Sequence, residues 1–188
     1  LDSSVEEVMF FKNGDYVIDY KVKSKTNDNY TISHKVDFSF NGNESVLFDN
    51  KKGARVYKGT SIEDANTWMG FAKNDFVAEV KIRDSEKVNF VTLSMLENLD
   101  MKAIFPKRIE IYGKSNDRWL PINQLEIALQ DHPDDRKSYF KEFTLAVNLD
   151  GYNEVKIVAV NHFKFPKAPV YDRKRKYSWI FIDEVIFW

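Results

Sequence analysis

Polar and apolar positions alternate along most of this chain, and the alternation has the period of a β-strand. Between Asp15 and Lys23, the residues Tyr16, Ile18, Tyr20 and Val22 share one face, behind an Asn13-Gly14 turn signal. From Tyr30 to Phe40, Ile32, His34, Val36, Phe38 and Phe40 do the same. From Phe76 to Arg83, Phe76, Ala78, Val80 and Ile82 point one way, and Glu79, Lys81 and Arg83 the other. That is the half-buried pattern of an antiparallel sheet. Val88 to Leu96 is more continuously apolar and predicts a central strand. Further strands are expected at 106–112, 118–122, 139–147, 154–160 and 177–188, with Pro106 at a first position, where its missing N–H costs least. Residues 125–129 fit either a strand or a helical turn. Adjacent strand residues face opposite ways, so Asp183 and Glu184 are expected on opposite faces and unable to work as a close acid/base pair.

No segment repeats its apolar residues at helical spacing over a useful length. Many short strands with polar turns between them predict an all-β fold, an antiparallel β-sandwich or jelly roll. Residues 1–42 read as an N-terminal β appendage or linker, with the boundary at Asn41-Gly42-Asn43, and 43–188 as the sandwich.

The stretch 47–71 breaks the rhythm. It opens on the apolar run Val46-Leu47-Phe48, passes through a polar loop with Gly53 and Gly59, and closes on Trp68-Met69-Gly70-Phe71. The loop has too few apolar residues to form its own core. A bound cation or packing against a sheet must fix its shape. Trp68 reads as core, because Trp is mostly buried.

Composition narrows the function classes. The 188 residues suit one domain, and 43% hydrophobic with 15% aromatic residues are ample for a core. The formal charge of −1 argues against nucleic acid or an anionic membrane as main partner. The run Arg173-Lys174-Arg175-Lys176 is short and offset by nearby acids, and reads as a solvated turn. With no cysteine, disulfides and thiolate zinc sites are excluded. No apolar run approaches the roughly 20 residues of a membrane span. A start at Leu1 rather than Met predicts a mature chain or part of a longer protein. Catalytic motifs are missing. His34, His132 and His162 stand in no metal or triad spacing, and Tyr112-Gly113-Lys114-Ser115 is no phosphate loop, because Arg108 stands where the leading glycine belongs.

Several pieces stand in a recognisable order: Leu47-Phe48-Asp49-Asn50-Lys51-Lys52-Gly53, Trp68-Met69-Gly70-Phe71, Phe105-Pro106-Lys107-Arg108-Ile109-Glu110-Ile111-Tyr112, and Trp179-Ile180-Phe181-Ile182-Asp183-Glu184-Val185. Over roughly residues 35–188 the chain resembles a discoidin-type, galactose-binding-like β-sandwich, in particular the C-terminal accessory domain of bacterial β-N-acetylhexosaminidases. It departs from that pattern at Asn50, where the family usually has Gly, and in a 161–176 loop without Trp or Gly. The resemblance implies a non-catalytic carbohydrate-binding or accessory module of a larger secreted, periplasmic or cell-surface bacterial glycoside hydrolase, packed beside the catalytic domain of its parent chain. It also implies a structural Ca²⁺, with Asp49 and Glu184 as ligands. Ca²⁺ takes about 6–8 oxygen ligands and suits a loop that cannot fold on its own core. Candidate sugar-binding residues are Asn161, His162, Tyr171, Asp172 and Arg173 in the long loop and Asn98 in the loop after the central strand; Tyr171 would stack, and Asp172 and Arg173 would accept from and donate to hydroxyls. The competing reading is a structural or protein-interaction β-sandwich without a sugar ligand.

Overall fold

A computed structural model describes residues 8–10, 17–19, 30–32, 44–48, 52–53, 67–72, 74–82, 85, 88–99, 102–129, 138–163 and 177–188. The expected site residues Asp49, Tyr171, Asp172 and Arg173 lie outside the described residues, as does the alternating pattern of Tyr30 to Phe40 beyond Ile32.

The described chain is all-β apart from short 3₁₀ turns. Strands β1 (Val8–Phe10) and β2 (Val17–Asp19) pair antiparallel as a separate ribbon. A five-stranded sheet has the order β3 (Tyr30–Ile32), β5 (Phe76–Lys81), β10 (Glu154–Val160), β7 (Arg108–Ser115), β8 (Arg118–Glu126). A four-stranded sheet has the order β4 (Met69–Ala72), β11 (Trp179–Phe187), β6 (Phe90–Asn98), β9 (Ser138–Ala146). Every pairing between named strands is antiparallel. β3 falls within the segment 1–42 and hydrogen-bonds to β5, so that segment contributes an edge strand to the larger sheet.

The two sheets pack face to face, and alternation decides which residues meet. Phe76, Ala78 and Val80 of β5, Ile109 and Ile111 of β7, and Val155, Ile157 and Ala159 of β10 are buried from one side. Val91, Leu93 and Met95 of β6, with Ile180, Ile182, Val185 and Phe187 of β11, meet them from the other. Each such large apolar side chain contributes about 1.5–3 kcal/mol on burial. Phe71 and Phe76 meet edge to face at 5.2 Å, and Phe105 and Phe143 at 5.1 Å, the geometry that the ring quadrupole favours. No helix among the described residues is long and apolar enough to cross a membrane.

The apolar run Val46 to Phe48 is buried in the 3₁₀ turn Glu44–Phe48, which packs on β11. Two local expectations are corrected. The stretch from Arg118 does not stop at Ile122; β8 continues to Glu126 through a register shift opposite Ile111 and Tyr112, which the period-two pattern cannot carry. The strands β7 and β8 join at Asn116-Asp117, both in the left-handed region (φ 48° and 60°), which is the two-residue hairpin geometry that matches strand twist. The second correction, at Asp183 and Glu184, bears on the site.

Candidate functional site

Two places on the sandwich carry polar chemistry. The first is the end where β10 finishes and β11 begins. Asn161 is fully buried there, and its side chain is committed to the fold. Its amide nitrogen donates to the carbonyls of Asn74 (3.1 Å), Phe71 (3.3 Å) and Ser178 (3.4 Å). Its Oδ1 accepts from the Ser178 hydroxyl at 2.7 Å and the Phe163 amide at 3.1 Å. Its own N–H donates to Asp75 at 2.8 Å. One Asn thus ties the ends of β4, β10 and β11 together and satisfies backbone groups that burial would otherwise penalise.

Asn98 belongs to the same end. It bridges Ala103, which bridges Trp179, and the Trp179 N–H donates to the Lys102 carbonyl at 2.9 Å. The Asn98 side chain donates to the Ser138 hydroxyl at 2.9 Å, and the residue is 7% exposed. Of the candidate sugar ligands, Asn98, Asn161 and His162 are therefore brought to one end, but both asparagine side chains hold loops in place. His162 is half-buried, and its Nε2 has no hydrogen-bond partner among the described residues. Burial, and the Lys107 cation after it, hold its pKa below the ordinary 6.5.

Two aromatic residues that sequence reasoning passed over frame this end. Phe163 is 40% exposed and Tyr177 is 47% exposed, on either side of the segment 164–176. Phe163 sits at φ 59°, unusual for a bulky residue, with its N–H held by Asn161. The only signal available in the sequence was their position flanking a basic loop.

The second place is the outer face of the four-stranded sheet. Its strand β11 carries a bulge: Ile182 pairs with Met95 and Glu184 with Ser94, so Asp183 is an inserted residue. Ile182 and Val185 both enter the inner core, three positions apart. Ser94, between the inward Leu93 and Met95, points outward, and its partner Glu184 shares that face. Asp183 and Glu184 consequently lie on the same outer face, not on opposite ones. Both are 1% exposed.

Asp183 pins the loop that breaks the strand rhythm. Its Oδ2 accepts from the Gly53 amide at 2.5 Å. Burial, the largest influence, pushes its carboxyl above the usual 3.8, while the Gly53 amide, the Ser94 hydroxyl and the Lys52 cation pull the other way. Gly53 in turn lies flat against Trp68: a Cβ there would stand 2.2 Å from the indole. Trp68, Leu96, Ala103 and Phe181 form a second buried cluster on this outer face, with Trp179 stacked on Phe181 at 5.7 Å. Trp68 is core, as expected from its size.

Among the described residues no group of three or more His, Cys, Asp or Glu converges as a metal cluster. The described part of the expected calcium site is Glu184 alone, and its character fits: a buried carboxylate beside a second one, offering the oxygen donors that a hard cation prefers.

No protein-family model matches the sequence, and no curated protein does. Among the solved structures that match are the following three. A GH31 CBM32-2 module bound to GalNAc is 13% identical with a TM-score of 0.44, covering 85% of this chain and 97% of that one. The C-terminal domain of a chitobiase from Bacteroides fragilis is 12% identical with a TM-score of 0.36, covering 88% and 95%. A CBM28 module specific for non-crystalline cellulose is 12% identical with a TM-score of 0.31, covering 90% and 86%.

Proposed function

We propose that this chain is a non-catalytic carbohydrate-binding module, an accessory part of a larger secreted bacterial glycoside hydrolase of the hexosaminidase type, acting outside the cytoplasm. The observation that carries the reading is the pair of exposed rings, Phe163 and Tyr177, at the end that Asn161 braces. Sugars bind through an apolar C–H face laid on an aromatic ring, with a few polar groups fixing orientation. His162 stands between Asn161 and Phe163 and is half-buried, and the candidates Tyr171, Asp172 and Arg173 belong to the loop that the two rings flank. A single shallow site of this kind gives weak affinity, because it must order a flexible, well-hydrated ligand.

Calorimetric titration of the chain with GalNAc, GlcNAc, galactose and glucose, beside a glycan array, tests the reading. Phe163→Ala and Tyr177→Ala each weaken binding of whichever sugar responds by about tenfold, roughly 1.4 kcal/mol. No binding to any hexose, hexosamine or array glycan favours a structural or protein-interaction sandwich instead. Turnover of nitrophenyl glycosides by the chain alone overturns the non-catalytic assignment.

We also propose a structural Ca²⁺ held by Glu184 and Asp49, which would fix the 49–53 turn against β11. A cation that binds only the folded chain raises its melting temperature through mass action. Chelation therefore lowers the melting temperature of the wild-type chain by several degrees and leaves that of Glu184→Gln unchanged; an identical melting temperature with and without chelator removes calcium from the reading.

A further inference from the structure

The outer face of the four-stranded sheet holds a cavity of about 330 Å³ beside the Gly53 clasp. Small residues make it: Gly53 and Ser94 leave room between the bulkier Phe140 and the Lys52–Glu142 pair at the rim, and Asp183 lies at its floor. Phe140 is 39% exposed, with its other side against Trp68 at 5.8 Å. Asp183 is 1% exposed, and only one of its oxygens is spent on Gly53. Its Oδ1 has no hydrogen-bond partner among the described residues. A buried acceptor left without a donor costs about 1–3 kcal/mol. A ligand that brings a donor there recovers that cost.

The chemistry of the walls selects the ligand. Lys52 and Glu142 are paired at 2.5 Å at the rim, and the Lys141 ammonium is turned to the Phe143 ring at 5.1 Å, so the lining offers the Asp183 carboxyl as an acceptor and leaves no unpaired cation to attract an anion. It presents one exposed aromatic face and one carboxylate oxygen, with the Ser94 hydroxyl turned to Asp183. A neutral polyhydroxylated ring offers an apolar face and O–H donors together. The volume lies at the low end for ligand pockets, which suits one sugar ring and not a chain.

We propose that this cavity is a second carbohydrate subsite, in which one neutral pyranose donates a hydroxyl hydrogen bond to Asp183 Oδ1 and rests its apolar face on Phe140. The ligand class rests on the carbohydrate-binding reading above; the place does not. The subsite lies on the outer face of the sheet, on β6, β9 and β11, away from the loop end of Phe163 and Tyr177. A sugar bound here touches Gly53, and so reports on the clasp that holds the loop.

The test is an amide chemical-shift titration of the full ¹⁵N-labelled chain with GalNAc, GlcNAc, galactose and glucose in turn. The expected result is a saturable shift of the Gly53, Lys141 and Glu142 amides with at least one of these sugars. Phe140→Ala, at a position 39% exposed, weakens that response about tenfold, and Asp183→Asn weakens it too, because the hydroxyl loses a charged acceptor and meets a neutral amide. Phe163→Ala leaves it intact. Shifts confined to His162, Phe163 and Tyr177 overturn the second subsite while leaving the module a sugar binder. No shift at any amide overturns both readings. A Gly53 shift with calcium chloride and none with sugar also overturns the subsite, as does a sugar response that survives Phe140→Ala undiminished.

Discussion

The outer faces of the two sheets are built from the same alternation and end up in opposite conditions. On the five-stranded sheet, the outward residues of β7 and its neighbours are charged or amphipathic and remain half-exposed. Arg108 pairs with Glu110, Lys114 with Glu154 at 2.9 Å, and the Lys156 ammonium lies 5.0 Å from the Tyr112 ring and 4.7 Å from that of Trp119. Each group has its partner within the face, and none is removed from water completely. On the four-stranded sheet, the outward residues include Leu96, Phe181, Asp183 and Glu184, all buried. The cover comes from the segment bearing Gly53 and Trp68, which cannot form a core alone and borrows this surface. The difference teaches where function can reside. A face whose charges are mutually satisfied in water asks for nothing, whereas a face that buries a carboxylate under a glycine and an indole has given up hydration for a defined polar site.

Replacing a tryptophan on each face sharpens this contrast most. Trp68→Ala removes the largest member of the second cluster and the surface on which Gly53 lies. Large aromatic truncations in a packed interior cost about 3–5 kcal/mol. Trp119→Ala removes a half-exposed ring whose described partners are the Lys114 and Lys156 ammonium groups at 5.7 Å and 4.7 Å. Exposed cation–π contacts are worth about 0.5–1 kcal/mol. Urea unfolding of the two variants is expected to separate by at least about 2 kcal/mol, with Trp68→Ala the worse. Equal costs would mean that the cover over the four-stranded sheet is only surface.

The contrast also explains how much of the molecule was legible beforehand. The strand at Phe76, Ala78 and Val80 could be read because one side of β5 faces the core and the other faces water. Val88 to Leu96 could be read as a central strand, observed as Phe90–Asn98, because both its faces are covered. The motif around Asp183 and Glu184 pointed to the last strand, and the loop is indeed held there, through Gly53 and Asp183. What could not be read was the bulge. A single inserted residue changes which face every later side chain takes, and nothing in Ile182-Asp183-Glu184-Val185 announces it. Asn161 was singled out for its polarity, but its buried amide serves the backbone carbonyls of Phe71, Asn74 and Ser178, a role fixed by tertiary approach rather than by local sequence. Phe163 and Tyr177 were missed for the converse reason: aromatic residues in a strand-rich chain read as core until the end of the sandwich leaves them outside.

The smallest effect probes the solvated face itself. Glu110 receives the Tyr112 hydroxyl at 2.7 Å on one oxygen and the Arg108 guanidinium on the other. Burial, the largest influence, pushes the Glu110 carboxyl up, but the Tyr112 and Arg108 hydrogen bonds together outweigh it and hold the group below the ordinary 4.5. A depressed carboxyl pKa stabilises the fold above the unfolded value and loses that contribution as pH falls through the folded one. Glu110→Gln is therefore expected to cost about 0.2–1 kcal/mol near neutrality, the range of exposed ion pairs. The gap between variant and wild type in thermal unfolding should hold above pH 4.5 and close at lower pH, where wild-type Glu110 loses its charge too. Added salt should shrink the gap at neutral pH, because water reaches this pair. A salt-insensitive penalty of several kcal/mol would place Glu110 in the same condition as Asp183, and the two outer faces would no longer differ in kind.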